Sequence, residues 1–121
     1  MMKAKKALTS AKVLLNESDA DGACNRAYYA MFDAARAALL TQGIDSGKTH
    51  KGVLNVFSEK LVKTGIADKI SGRQLKHAEA LRYVADYDGD FVSPDDAAEM
   101  IMQADAFVAE MSRIVDSRKS F

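Results

Sequence analysis

The sequence predicts an all-α protein, an antiparallel up-and-down helical bundle of four to five helices. Three observations carry that prediction. The chain holds one proline in 121 residues. Ala, Leu and Lys abound while runs of β-branched residues are few. Apolar residues recur at steps of three and four, and no stretch reads as a strand.

The first helix is expected over about residues 3–16, with Ala4, Leu8, Ala11 and Leu15 on one face and Lys3, Lys5, Lys6 and Lys12 toward water. The polar run Asn16 to Gly22 turns the chain. A second, longer helix spans about 19–41, and Cys24, Tyr28, Met31, Ala35 and Leu39 make its buried seam. Gly43 closes it, because glycine takes the left-handed conformation at little cost. The third helix runs over about 48–63, turning Val53, Leu54, Phe57, Leu61 and Val62 inward, and ends at Gly65. Ser71 and Gln74 stand at capping-box spacing and open the fourth, which reaches about residue 88 with Leu75, Ala78, Leu81 and Ala85 on one face. Ser93-Pro94-Asp95-Asp96 starts the fifth: a serine cap, a proline whose missing N–H is not needed there, and two acids against the positive helix end. Its stripe of Ala97, Ile101, Ala104, Val108, Met111 and Val115, widened by Met100, Phe107 and Ile114, wants a partner on more than one side. With no repeat, linker or low-complexity tract, residues 1–121 read as a single helical domain.

Seventeen basic and 17 acidic side chains cancel, so no global charge drives the chain toward nucleic acid or an anionic membrane. No apolar run approaches the about 20 residues a membrane span needs, and the start has no signal-peptide core. The single cysteine, Cys24, cannot form an internal disulfide. A soluble, cytoplasmic protein in a reducing setting is the expectation.

Two short motifs invite a ligand and fail on spacing. Gly43-Ile-Asp-Ser-Gly47-Lys48-Thr49 resembles a phosphate-binding loop, but that loop needs four residues between its glycines and a strand before it. Here there are three, and a helix precedes them. A loop with Ser46 or Thr49 capping the third helix is the expectation instead. Asp86-Tyr87-Asp88-Gly89-Asp90 begins like a calcium loop, yet its glycine falls at the fourth position and Ala97 stands where the bidentate Glu belongs. The only histidines, His50 and His77, read as surface residues, since no Cys or acid is placed to complete a metal set. No metal and no cofactor are expected.

Two polar constellations remain. On the second helix Asn25, Tyr29, Asp33 and Arg36 share a face; on the fourth, Arg82 and Asp86 are one turn apart, with Tyr83 and Tyr87 beside them. One reading makes these intrahelical pairs and aromatic packing, each pair worth about 0.2–0.5 kcal/mol. The other has Arg and Tyr between two helices gripping a phosphate or a base.

The stretches NRAYYAMFDAARAALL (Asn25 to Leu40), KTHKGVLNVF (Lys48 to Phe57) and LRYVADY (Leu81 to Tyr87) resemble, in order and spacing, the HEPN domain family. They look like its small single-domain prokaryotic branch with an R-x-x-A-D-Y signature. The resemblance implies a bundle of about four main helices, usually dimeric, often encoded beside a minimal nucleotidyltransferase in a toxin–antitoxin pair. Many members are metal-independent RNases that use an R-x(4–6)-H motif, and in some pairs the transferase adds AMP to a tyrosine near it. In that chemistry arginine stabilises the phosphorane and histidine acts as acid or base.

The sequence departs from that motif. Arg82 stands where its arginine is expected, but Asp86 and Tyr87 occupy the later turn and no histidine follows. Arg73 and His77 are in the right order with one residue too few between them. The preferred reading is therefore a catalytically reduced, dimeric HEPN module that binds a nucleotidyltransferase and a nucleotide or RNA. Arg82, Asp86 and Tyr87 would face Asn25, Arg26 and Tyr29 across the bundle, with Tyr87 the candidate for modification. The rival readings are an active RNase using Arg82 with Asp86 or Tyr87, or a distorted Arg73/His77 pair, and a structural interaction module without a ligand site.

Overall fold

The computed structural model describes residues 1–87 and 92–119, with side chains for 1–86 and 92–117. Within them run five α-helices: α1 (Met2–Asn16), α2 (Ala20–Thr41), α3 (His50–Phe57), α4 (Lys69–Tyr87) and α5 (Pro94–Lys119). No strand occurs among the described residues. The helical bundle expected from the apolar periodicity is what forms.

The caps show why the helices begin where they do. Asp19 Oδ1 accepts from the Gly22 amide at 2.9 Å, Thr49 Oγ1 from Gly52 at 3.1 Å and Ser93 Oγ from Asp96 at 3.1 Å, each satisfying an amide that has no partner in a helix's first turn. Gly43, at φ +77°, ends α2: its amide bonds to Leu40 and the next one, of Ile44, reaches back to Leu39. The phosphate-loop lookalike is thus a helix end followed by the Thr49 cap of α3.

Two boundaries differ from expectation. The third helix starts at His50, and after Phe57 it widens into a π-helical turn, Ser58–Val62, where the Lys63 amide bonds to Ser58, five residues back. Ser71 does not open α4. It lies inside the helix, 4% exposed, and its amide bonds to the Asp68 carbonyl. Capping-box spacing alone could not reveal that the first turn forms two residues earlier.

At the centre lies α2, packed on α1, α5, α4 and α3. Ala23, Ala27, Ala30, Ala34, Ala35 and Ala38 are all buried along it, so its neighbours approach its backbone closely from several sides. Phe57 and Phe107 meet with ring centroids 5.6 Å apart, tying α3 to α5. Helix α4 leans mainly on α2 and only lightly on α5, which leaves a cleft of about 460 Å³ between α4 and α5.

Candidate functional site

Three helices bring their polar residues to one place. Glu79, Arg82 and Asp86 share a face of α4 because steps of three and four return to the same side of a helix. That face lies against α2, which contributes Asn25 and Tyr28, while the first residue of α3, His50, closes the group.

Arg82 is its centre. The residue is 7% exposed. Its Nη2 donates to Glu79 Oε1 at 3.0 Å and its Nη1 to Asp86 Oδ2 at 3.3 Å. The guanidinium carbon stands 5.1 Å from the centroid of the Tyr28 ring, so the cation is held at both ends and covered on a face. Asn25 Nδ2 donates to the same Asp86 Oδ2 at 3.2 Å, fixing the carboxylate from the α2 side.

Tyr28 is fully buried, and its hydroxyl meets His50 Nδ1 at 3.1 Å. Burial first, and the adjacent Glu79 carboxylate second, push the phenol far above its ordinary range, so it keeps its proton. A phenol in that state can donate to a neutral imidazole at Nδ1, which leaves the ring's hydrogen on Nε2. Glu79 Oε2 lies 3.8 Å from the same Nδ1. The imidazole packs against Phe32 at 4.8 Å, Tyr28 at 5.3 Å and Tyr29 at 5.8 Å between centroids. One cation therefore sits among two carboxylates, an amide, a phenol and an imidazole. The ionic balance of Arg82 with Glu79 and Asp86 is one negative charge, which opposes a phosphate rather than attracting it.

The HEPN domain family matches residues 1–114. This chain belongs to the HEPN family. Among its relatives, a protein of Methanocaldococcus jannaschii named "Putative toxin" is 35% identical over 106 residues, covering 88% of this chain and 78% of the relative. A UPF0332 protein of Gloeobacter violaceus is 37% identical, covering 89% and 86%, and another of Thermotoga maritima is 32% identical, covering 97% and 89%.

In this HEPN chain the residues named from sequence divide between two faces of α2. Asn25, Arg82 and Asp86 come together as described, and Tyr29 touches the group through ring contacts with Tyr28 at 5.7 Å and His50 at 5.8 Å between centroids. Arg26 lies apart: it is exposed and lines a cleft of about 340 Å³ between α1 and α2 with Lys3, Lys6, Ser10, Tyr29 and Asp33. Tyr87 is the last residue of α4, and its side chain is outside the described residues, as are the acidic positions 88 and 90. His77 is exposed beside Arg73 in the α4/α5 cleft. Among the described residues no group of three His, Cys, Asp or Glu is placed to hold a metal.

His50, Glu79 and Tyr28 are the members that sequence reasoning missed. His50 is not the surface histidine expected; it is half-buried among three aromatic rings. Glu79 was legible, since it stands three residues before Arg82 on the side that carries Asp86. Tyr28 had one signal, a hydroxyl inside an apolar stripe that needed a partner. Nothing in the spacing ties His50 to either.

Proposed function

We propose that this HEPN chain serves a prokaryotic toxin–antitoxin or stress system as a cytoplasmic, homodimeric helical module that associates with a minimal nucleotidyltransferase, and that it does not cut RNA at Arg82. The observation that carries the reading is the engagement of Arg82. An arginine that stabilises a phosphorane must turn N–H groups toward the reacting phosphate. Here the two terminal nitrogens hold Glu79 and Asp86, and freeing them would leave two carboxylates facing the substrate. The toxin names of two relatives support the setting. Ile70 on α4 and Met102 on α5, 61% and 72% exposed, supply apolar surface for a partner. Tyr87, next to Asp86 in sequence, is the residue the transferase would modify with AMP.

Co-expression with the minimal nucleotidyltransferase that this reading expects in the adjacent reading frame tests this. The expected result is a stable complex by size exclusion with light scattering, a homodimer when the chain is alone, and AMP on Tyr87 when ATP is supplied. A monomer that neither binds the transferase nor is modified contradicts the proposal.

One observation favours a second reading. His50 brings to the Arg82 group the imidazole that no residue after Arg82 provides, and it could act as acid or base in an RNase toxin. That reading requires RNA cleavage by the isolated chain, lost in His50→Ala.

A further inference from the structure

The helices α4 and α5 turn polar faces toward the cleft between them. Ile70, Arg73, His77 and Leu81 follow one another on α4 at steps of three and four, and Asp96 and Glu99 stand three apart in the first two turns of α5. All six line the cleft, whose volume of about 460 Å³ falls in the range of about 300–1,000 Å³ of small-ligand pockets. At about 100° per residue, the α4 members lie on the opposite side of that helix from Glu79, Arg82 and Asp86. The cleft is thus separate from the Arg82 group.

Charges of both signs face this space without pairing. Among the described residues none of Arg73, Asp96 and Glu99 has an ion-pair partner within 4 Å. One cation on α4 therefore stands across from two carboxylates on α5, a balance of one negative charge. The positive end of α5 accounts for acids in its first turn, but Glu99 lies beyond that turn, where the field of the helix end has faded. Ile70, 61% exposed, and Leu81 add apolar surface to the α4 wall.

We propose that the cleft between α4 and α5 binds a free basic α-amino acid of the arginine or lysine type. Such a molecule carries one carboxylate and two cationic groups, the inverse of the set formed by Arg73, Asp96 and Glu99. Arg73 takes the carboxylate in a two-pronged, charge-assisted contact, and Asp96 and Glu99 take the α-ammonium and the side-chain cation. The methylene stem lies along Ile70 and Leu81, as the stems of long cationic chains do on apolar surface. A neutral α-amino acid leaves one carboxylate unanswered, and a diamine leaves Arg73 facing another cation, so the set selects against both. The site depends on neither the transferase reading nor the state of Arg82.

Isothermal titration calorimetry of the full chain with L-arginine and L-lysine, at low salt and at pH 8, where imidazoles are ordinarily uncharged, tests the proposal. Wild type is expected to bind one molecule per chain. Citrulline, whose neutral urea replaces the guanidinium, and agmatine, which lacks the carboxylate, each bind more weakly than L-arginine by roughly tenfold or more. Arg73→Gln and Glu99→Gln each weaken L-arginine by a similar factor. Arg73→Gln leaves agmatine no weaker than with wild type, a selectivity that misfolding cannot imitate. Asp95→Asn removes a neighbouring charge of α5 outside the cleft and leaves binding near wild type. No saturable binding of L-arginine or L-lysine, citrulline bound as tightly as L-arginine, equal weakening by Asp95→Asn and Glu99→Gln, or a loss of agmatine in Arg73→Gln as large as that of L-arginine overturns it.

Discussion

Replacing Arg82 by alanine should damage the fold before it damages any chemistry. The guanidinium is 7% exposed, and its loss leaves Glu79 and Asp86, each with 29% of its side chain exposed, two turns apart on α4 with no cation between them. Removing one partner of a buried ion pair costs about 3–5 kcal/mol. Partial solvation of both carboxylates places this case near 3 kcal/mol. An unfolding entropy of about 2.1 cal/mol/K per residue gives about 250 cal/mol/K for 121 residues, so 3 kcal/mol lowers Tm by about 12 °C. Urea unfolding at pH 7 followed by circular dichroism measures the loss. The triple variant Arg82→Met, Glu79→Gln, Asp86→Asn removes all three charges and should recover most of it, because the cost of breaking a buried ion network is that of the charge left without a partner. A loss below about 1 kcal/mol for Arg82→Ala, or a triple variant no better than the single one, would refute the reasoning.

Three further outcomes follow from local physics. Burial pushes the Cys24 thiol up to about 12, so it should resist a thiol reagent at pH 8 in the native state and react fully in denaturant; rapid native labelling would contradict its burial. Ser18 ends α1 at φ +66°, where an L-residue is strained, and Ser18→Gly should raise stability by roughly 0.5–1 kcal/mol in the same urea assay. Burial raises the Asp33 carboxyl above its ordinary 3.8, outweighing the lowering by Lys3 and Arg36. The folded state then binds that proton more tightly than the unfolded chain, so Asp33 draws stability down as pH rises from about 4 through the raised value. Asp33→Asn should remove that fall, and stability curves of the two proteins that run parallel across this window would contradict it.

The bundle was legible because its helices state their own ends: Gly43, Thr49 and Ser93-Pro94 signal termini that neighbours do not override. The π turn at Ser58–Val62 was not, since no residue type within it marks the change from an α-helical to a π-helical turn. The Arg82 group was legible on α4, where a helical turn fixes which side chains align. It was illegible across helices. Whether Asn25 or Arg26 faces α4 depends on the rotation of α2, and adjacent residues on a helix point about 100° apart. His50 entered the group through the path of the loop at 42–49, which periodicity does not describe.

The most direct test of the central claim is RNA cleavage by the purified chain, with tRNA and mRNA as substrates and Arg82→Ala and His50→Ala beside wild type. With Arg82 held by Glu79 and Asp86, wild type should leave both RNAs intact, and its expression alone should not arrest growth through cleavage. Cleavage by wild type that disappears in Arg82→Ala, with that variant still folded, would show that the arginine opens to a phosphate and would contradict the account.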